Sequence, residues 1–493
     1  MNDEPRYLAE TEIAALRADL LAGAYTLEAV TSRLGDQALA GLARNSSVPA
    51  MRALAERQDA QADLTRLWLL GLALPQTRVR ELLSVTDALL AAGLLVAEGD
   101  QLRADVEIKP YGDDDFAGWI CADPTPLDGR ASRPRPDFVL GASPASTTLA
   151  QLIPRQHVGA ALDLGTGCGI QALHLAAHCD RIVATDLNPR ALELARITTG
   201  LAEVTAELRL GSLYEPVAGE RFDLIVTNPP YVMSPPQHSG LVYREGTETG
   251  DGLMRRVVAE ATAQLNPGGT LIVLGNWAIT DRPWQERLAE WIGDGCDALV
   301  LQREVLDPCE YVELWLADAG LVGSPEYAAR YAEWLDYFAA LGITEVGMGW
   351  LAVRNTGRAQ PELRFEEWPH AVHQPVGAAF AAFFDAITDS RLATEDLLAT
   401  RWRLHPKVIQ ETLGVPGAAD PQHLVLRQQY GFGRALEPGT ALAAVVGACD
   451  GDLALGTLIE AVASILEVDG VELREELLPA LRRLVSDGFL LPA

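Results

Sequence analysis

Ala161-Leu162-Asp163-Leu164-Gly165-Thr166-Gly167-Cys168-Gly169 decides how the middle of this chain folds. An apolar run ends at Leu164, three glycines alternate with other residues, and a helix is expected to begin near Gly169 or Ile170. Glycines let a ligand approach the backbone, and the start of a helix offers free N–H groups to an anionic group. A dinucleotide fingerprint needs G-x-G-x-x-G. Here the spacing is G-x-G-x-G, and Ile170 follows directly, which disfavours NAD. Asp163 has no role beside a pyrophosphate, whereas it suits the ammonium of an amino-acid-like cofactor.

Working outward, Asp186 closes the next expected strand, where a carboxylate can accept from both hydroxyls of a ribose. Asn188 and Pro189 then read as cap and first-turn residue of a helix. Further strands are expected at residues 160–164, 181–185, 207–210, 222–226, 270–274 and 299–304. Helices are expected at 171–177, 189–199, 253–265 and 284–292. This alternation predicts an α/β, doubly wound and mostly parallel sheet. Residues 345–354 and 362–367 read as further strands at the end of that sheet, after a helix at 327–341.

A second stretch, Asn228-Pro229-Pro230-Tyr231, follows the apolar run 222–226. Such a turn can hold a planar NH2 group. The Asn228 side-chain oxygen and a backbone carbonyl near Pro229 each accept one N–H, which fixes the nitrogen and directs its lone pair outward. Pro229 and Pro230 stiffen the turn and bring no N–H of their own. Tyr231 offers a flat face for stacking.

The flanks read differently. Residues 1–105 are mainly helical, with helices expected at 10–21, 27–34, 63–70 and 79–92. A hairpin follows, with strands around 94–96 and 101–108 turning at Gly99-Asp100. The C-terminus repeats the outline, with a helix at 471–486, Gly488, and a short strand at 489–491. Helix, glycine and hairpin outline a winged helix. Neither copy has a basic recognition helix, so docking or substrate selection is the expected use. The domains are set at 1–107, 108–372 and 373–493.

Composition narrows the class. The chain has 493 residues, 48% of them hydrophobic, and a net charge of −29. Its mean field repels phosphate. The exceptions are local, notably Arg130, Arg133 and Arg135 in one loop. No apolar run reaches the ~18 residues of a membrane span. The acidic start at residues 1–6 does not read as a secretory signal. Six cysteines without a C-x-x-C pair suit a reducing, cytoplasmic setting and supply neither a disulfide framework nor a zinc site. His174 and His178 have i, i+4 spacing, but no third ligand accompanies them, so no metal is expected.

Taken together, these motifs resemble those of class I S-adenosylmethionine-dependent methyltransferases. Within that class the chain is most similar to the HemK/PrmC-like amide N-methyltransferases and the related small-domain RNA methyltransferases. The resemblance rests on residues 163–169, Asp186 and residues 228–231. It implies a Rossmann-like sheet in the central region, with S-adenosyl-L-methionine as cofactor, between the winged-helix-like flanks read above. The implied cofactor residues are Asp163, Gly165, Thr166, Gly167, Gly169, Asp186, Leu187, Ser212, Leu213 and Asn228. The implied catalytic residues are Asn228, Pro229, Pro230 and Tyr231. Many relatives carry an acidic residue after the third strand to meet adenine; here Ser212 or the Leu213 backbone would do that work. Ser146 or Thr147 reads as the cap of a helix over the cofactor. Residues 243–252 resemble the substrate-side flap of PrmC-like enzymes, and His238 reads as a loop histidine rather than a base.

The expected reaction is methyl transfer to a planar NH2 nitrogen. The first reading of the acceptor is a glutamine amide of a protein, with a translation factor in view. The alternatives are an exocyclic amino group of an RNA or DNA base (adenine N6 or guanine N2), or a binding scaffold that keeps the fold without catalysis. The sequence leaves the oligomeric state open.

Overall fold

The computed structural model describes residues 7–113, 116–128, 135–236, 248–416 and 422–493. Arg130, Arg133, His238 and residues 243–247 of the expected flap therefore lie outside the described residues. The chain divides into two compact units, Met1–Ala150 with Gln156–Pro361, and Gln151–Arg155 with Glu362–Ala493.

The first unit is built on a twisted sheet. Its strands, in chain order, are β1 Val158–Leu164, β2 Cys179–Asp186, β3 Glu207–Leu210, β4 Phe222–Thr227, β5 Leu265–Ile279, β6 Cys296–Leu306 and β7 Glu345–Asn355. They lie in the order β3-β2-β1-β4-β5-β7-β6. β1 to β5 pair parallel, and β7 runs antiparallel to both β5 and β6. The order reverses between β1 and β4, the place where open α/β sheets bind ligands beyond their strand ends.

The central strands are apolar because both of their faces are covered. Phe222, Ile225, Val226 and Val183 are all fully buried. Each such side chain contributes about 1.5–3 kcal/mol relative to exposure. Helix α1 Ile170–Leu175 follows β1, α2 Pro189–Leu201 follows β2, and α3 Gly252–Gln264 precedes β5. The Asn188 side chain accepts from the Arg190 N–H at 3.0 Å and caps α2, whose first residue is Pro189.

The N-terminal region packs on the same helices. Ile13, Leu16, Trp68 and Trp119 share one buried cluster with Ile170, Leu173, Leu194 and Leu201. A hairpin of Glu107–Gly112 with Ala117–Ala122 joins that cluster, and the Cys121 N–H donates to Thr198 Oγ1 at 2.9 Å. The wing is present: Leu95–Glu98 pairs with Gln101–Ala104, which also pairs with Leu74–Pro75.

Two expectations change here, one for a helix and one for a strand. The helix expected over 79–92 is two, Gln76–Leu82 and Thr86–Ala91. Between them Leu83 is extended, and the Asp19 carboxylate accepts from both the Ser84 N–H and hydroxyl, at 2.7 and 2.8 Å. The strand expected over 101–108 stops at Ala104, because residues from Glu107 onward pair in the second hairpin.

The second unit holds helices Gly377–Ser390, Thr440–Gly447, Leu455–Leu466 and Gly470–Ser486. Strands Asp450–Ala454, Arg401–Leu404 and Leu490–Pro492 form one three-stranded sheet, and Val408–Leu413, His423–Gln428 and Ala435–Leu436 form another. Among the described residues no helix is long and apolar enough to cross a membrane.

Candidate functional site: a cofactor cavity meeting an asparagine turn

The carboxyl ends of β1, β2 and β4 open onto a cavity of about 590 Å³. That volume is in the usual range for a small-molecule or cofactor site. Its wall includes Asp163, Gly165, Thr166, Gly167, Asp186, Leu187, Ser212, Leu213, Asn228, Pro229 and Pro230. The two sequence motifs therefore meet in one space.

The glycine loop owes its path to positive backbone angles. Gly165, Gly167 and Gly169 have φ of 73°, 55° and 85°, values that L side chains rarely adopt. The N–H groups of Gly165 and Thr166 both donate to the Thr185 carbonyl at 2.9 Å, tying the loop to β2. The Gly167 N–H donates to Asp186 Oδ2 at 2.9 Å, and the Asn188 N–H to Asp186 Oδ1 at 2.8 Å. Both carboxylate oxygens of Asp186 are thus oriented. Burial nonetheless pushes its pKa up, against the pull of those backbone donors.

Asp163 is 1% exposed, and Thr166 Oγ1 donates to its Oδ2 at 2.6 Å. Burial raises its carboxyl to about 7, with Thr166 opposing and the Asp186 charge reinforcing. A carboxylate held this way favours a cationic partner, which offsets the cost of burying its charge.

On the facing side, Thr227 Oγ1 donates to the Leu164 carbonyl at 2.7 Å, so the ends of β1 and β4 are linked directly. Asn228 follows, and its Oδ1 is buried with no hydrogen-bond partner among the described residues. A buried amide oxygen left unpaired costs about 1–3 kcal/mol, so this atom is prepared for a donor. Pro229 cannot supply one.

Tyr231 is placed elsewhere. It does not line the cavity; its ring meets Trp315 edge-on, centroids 6.2 Å apart, and packs on a cluster holding Val232, Met233 and Tyr311. The expected stacking face is thus used for packing. The cap of the helix at Pro144–Leu152 is Ser143, whose hydroxyl accepts from the Ser146 N–H at 3.1 Å; Ser146 lines the cavity and Thr147 bonds back to the Ser143 carbonyl. Leu213, with φ of 47°, is a cavity residue in the left-handed region, a strain of about 1–3 kcal/mol.

Glu248, Leu253 and Arg256 were not foreseen as cavity residues. The described end of the expected flap is anchored: the Gly250 N–H donates to Tyr337 Oη at 2.8 Å, and Asp251 is paired with Arg287 at 2.9 Å. His174 is engaged in structure, with Nε2 2.8 Å from Tyr111 Oη and Nδ1 3.2 Å from Asp113. Among the described residues no group of three metal-binding side chains occurs.

Fold and site together define a class I S-adenosylmethionine-dependent methyltransferase. Residues 141–294 match the family model "Methyltransferase small domain", and residues 22–105 and 381–492 match two domains of unknown function. A release factor glutamine methyltransferase of Deinococcus radiodurans is 31% identical over 241 residues, 44% of this chain and 82% of the relative. One from Xylella fastidiosa is 41% identical over 130 residues, 23% of this chain and 46% of the relative. The chain spans about half the length of several curated relatives it matches, 54% and 46% in two cases. Among solved structures, the T. thermophilus 16S rRNA N2 G1207 methyltransferase RsmC, in complex with AdoMet and guanosine, aligns over 46% of this chain and 60% of its own. The identity there is 19% and the TM-score 0.28. The chain belongs to the HemK/PrmC-like family of class I methyltransferases.

The residues present fit that family's cofactor: the buried carboxylate of Asp163 could face an ammonium, the oriented carboxylate of Asp186 could accept from ribose hydroxyls, and Gly165 and Gly167 leave backbone open to a ligand.

Proposed function

We propose that the chain transfers a methyl group from S-adenosylmethionine to the side-chain amide nitrogen of a glutamine in a protein. The observation that carries this reading is the unpartnered, buried Asn228 Oδ1 in the wall of the cofactor cavity. Bound there, the cofactor supplies an electrophilic methyl carbon on a sulfonium. Asn228 accepts one N–H of the acceptor amide and Pro229 contributes a rigid turn, so the nitrogen is held with its lone pair free. Transfer would form the N–C bond as the S–C bond breaks, with a thioether as the leaving group and one proton released from the nitrogen. Positioning and partial exclusion of water can provide much of the acceleration, since no covalent nucleophile or metal is needed for this transfer.

A protein acceptor is favoured over a nucleic acid on two grounds. The net charge of −29 disfavours a phosphate backbone, and relatives that match over 130 and 241 residues bear the name of release factor glutamine methyltransferases. We assign substrate selection to the flanking regions 1–107 and 373–493. The six cysteines, none in a disulfide, suit a cytoplasmic setting.

The test is transfer of labelled methyl groups into a cell extract by the purified protein. Label that resists nuclease and is lost with protease supports the reading; label lost with nuclease overturns it in favour of a base acceptor. Replacing Arg130, Arg133 and Arg135 together should leave transfer to protein nearly unchanged.

A further inference from the structure

One buried polar group in the cavity has no part in the account above. Gln171, on α1, is 4% exposed and lines the cofactor cavity. Its neighbours along that helix are Ile170, Ala172 and Leu173, with His174 and Leu175 one turn on. Nε2 donates to the Ser146 carbonyl at 2.8 Å. Oε1 is buried and has no hydrogen-bond partner among the described residues. The Ser146 bond fixes which way the amide faces: reversed, it would set its oxygen against a carbonyl oxygen. Gln171 is thus locked with a bare acceptor, and an unmet buried acceptor carries a cost that a donor on a ligand would relieve.

The position identifies the donor. Asp163, at the end of β1, lies beside the first turn of α1: the backbone of Ala172, next to Gln171, is one of the groups that pull its pKa down. The ribose end of the cavity is marked instead by Asp186 at the end of β2. Of the donors a sulfonium nucleoside of an amino acid carries, the hydroxyls belong with Asp186, the adenine amino group with Ser212 and Leu213, and the ammonium with Asp163. We infer that Gln171 Oε1 accepts a hydrogen bond from the amino-acid ammonium of the cofactor and so selects ligands that carry it. Asp163 provides charge and Gln171 provides direction: an amide oxygen adds a second acceptor without placing a second buried carboxylate beside Asp163. This inference rests on the cofactor reading given above.

Calorimetric titration of the full chain with two ligands tests it. One is S-adenosylhomocysteine; the other is its deaminated analogue, with hydrogen in place of the amino group and the carboxylate retained. The proteins are the wild type, Gln171→Met and Gln171→Leu. The wild type is expected to prefer the ammonium-bearing ligand by at least about tenfold, the scale of one charge-assisted hydrogen bond. Both variants should lose about tenfold in affinity for S-adenosylhomocysteine and bind the deaminated analogue as the wild type does. That retained affinity also reports that the site has folded.

Variants that weaken both ligands alike assign Gln171 a structural role and overturn the inference, as do variants that keep the full preference. A wild type that binds neither ligand overturns the cofactor reading itself. Wild-type binding of both, with the preference untouched in the variants, overturns the role of Gln171 alone.

Discussion

Thr227 Oγ1 donates to the Leu164 carbonyl at 2.7 Å, and both groups are buried. Leu164 ends the strand that leads into the glycine loop, and Thr227 ends the strand that leads into the asparagine turn. The parallel ladder sets these two residues side by side, and this hydrogen bond reinforces the spacing between cofactor wall and acceptor turn. Thr227→Val keeps the volume and removes the donor, leaving the carbonyl unmet. The expected outcome is a loss of about 1–2 kcal/mol in stability by chemical denaturation. A larger fall in turnover than in cofactor affinity should accompany it, because a displaced turn misaligns the acceptor nitrogen.

Asn228→Ala should separate binding from chemistry more sharply. The side chain has no internal partner at Oδ1, so its removal costs little within the protein. Turnover is expected to fall by about 10²–10³, the scale seen when one preorganised polar group is deleted from an active site. Affinity for S-adenosylhomocysteine should change by less than about threefold. Single-turnover transfer, measured beside calorimetric binding, checks both. Unchanged turnover would overturn the role given to Asn228; an intact biological activity in a variant that transfers no methyl group would point to the scaffold reading.

The sheet and the glycine loop were legible because local pattern and tertiary role agree there. Buried parallel strands are apolar throughout, and the loop needs glycine at each left-handed position. Two features were not legible, each decided by residues distant in sequence. The helix expected over 79–92 is broken by the Asp19 carboxylate on Ser84. Tyr231 is drawn to Trp315 and the cluster around Tyr311. Gln171 did carry a signal: it is a polar side chain in an otherwise apolar helix turn, directly after the cofactor loop.

Gly169→Ala and Gly165→Ala should fail differently. At Gly169, a Cβ would lie 3.2 Å from Ala195 Cα and Cβ, on a backbone with φ of +85°. Strain and crowding combine, and a loss of roughly 1–3 kcal/mol in stability is expected. At Gly165, nothing lies within 4 Å of the added carbon. Backbone strain remains, but the methyl enters open space beside the cofactor. Gly165→Ala should therefore lower melting temperature less than Gly169→Ala while weakening cofactor binding at least as much. Thermal melts and ligand titrations of the two variants decide it.

Asp163 makes cofactor binding depend on pH. In the ligand-free protein, burial holds its carboxyl at about 7, above the ordinary 3.8. Between those values the folded state keeps a proton that the unfolded chain releases. The sign follows from linkage: this group's contribution to stability is fully present below about pH 4 and is lost as pH rises through about 7. A bound ammonium reverses the preference, because it needs the ionised form. Affinity for S-adenosylhomocysteine should then rise with pH up to about 7 and level off above it. On the acid side it should fall by about tenfold per pH unit. Asp163→Asn keeps the size and removes the titration. Its binding should be weaker at pH 8 and nearly flat between pH 5.5 and 8, and its ligand-free stability should lose the same decline. A variant whose affinity still climbs through pH 7 would assign the titration to another group, with Asp186, also raised by burial, the next to replace.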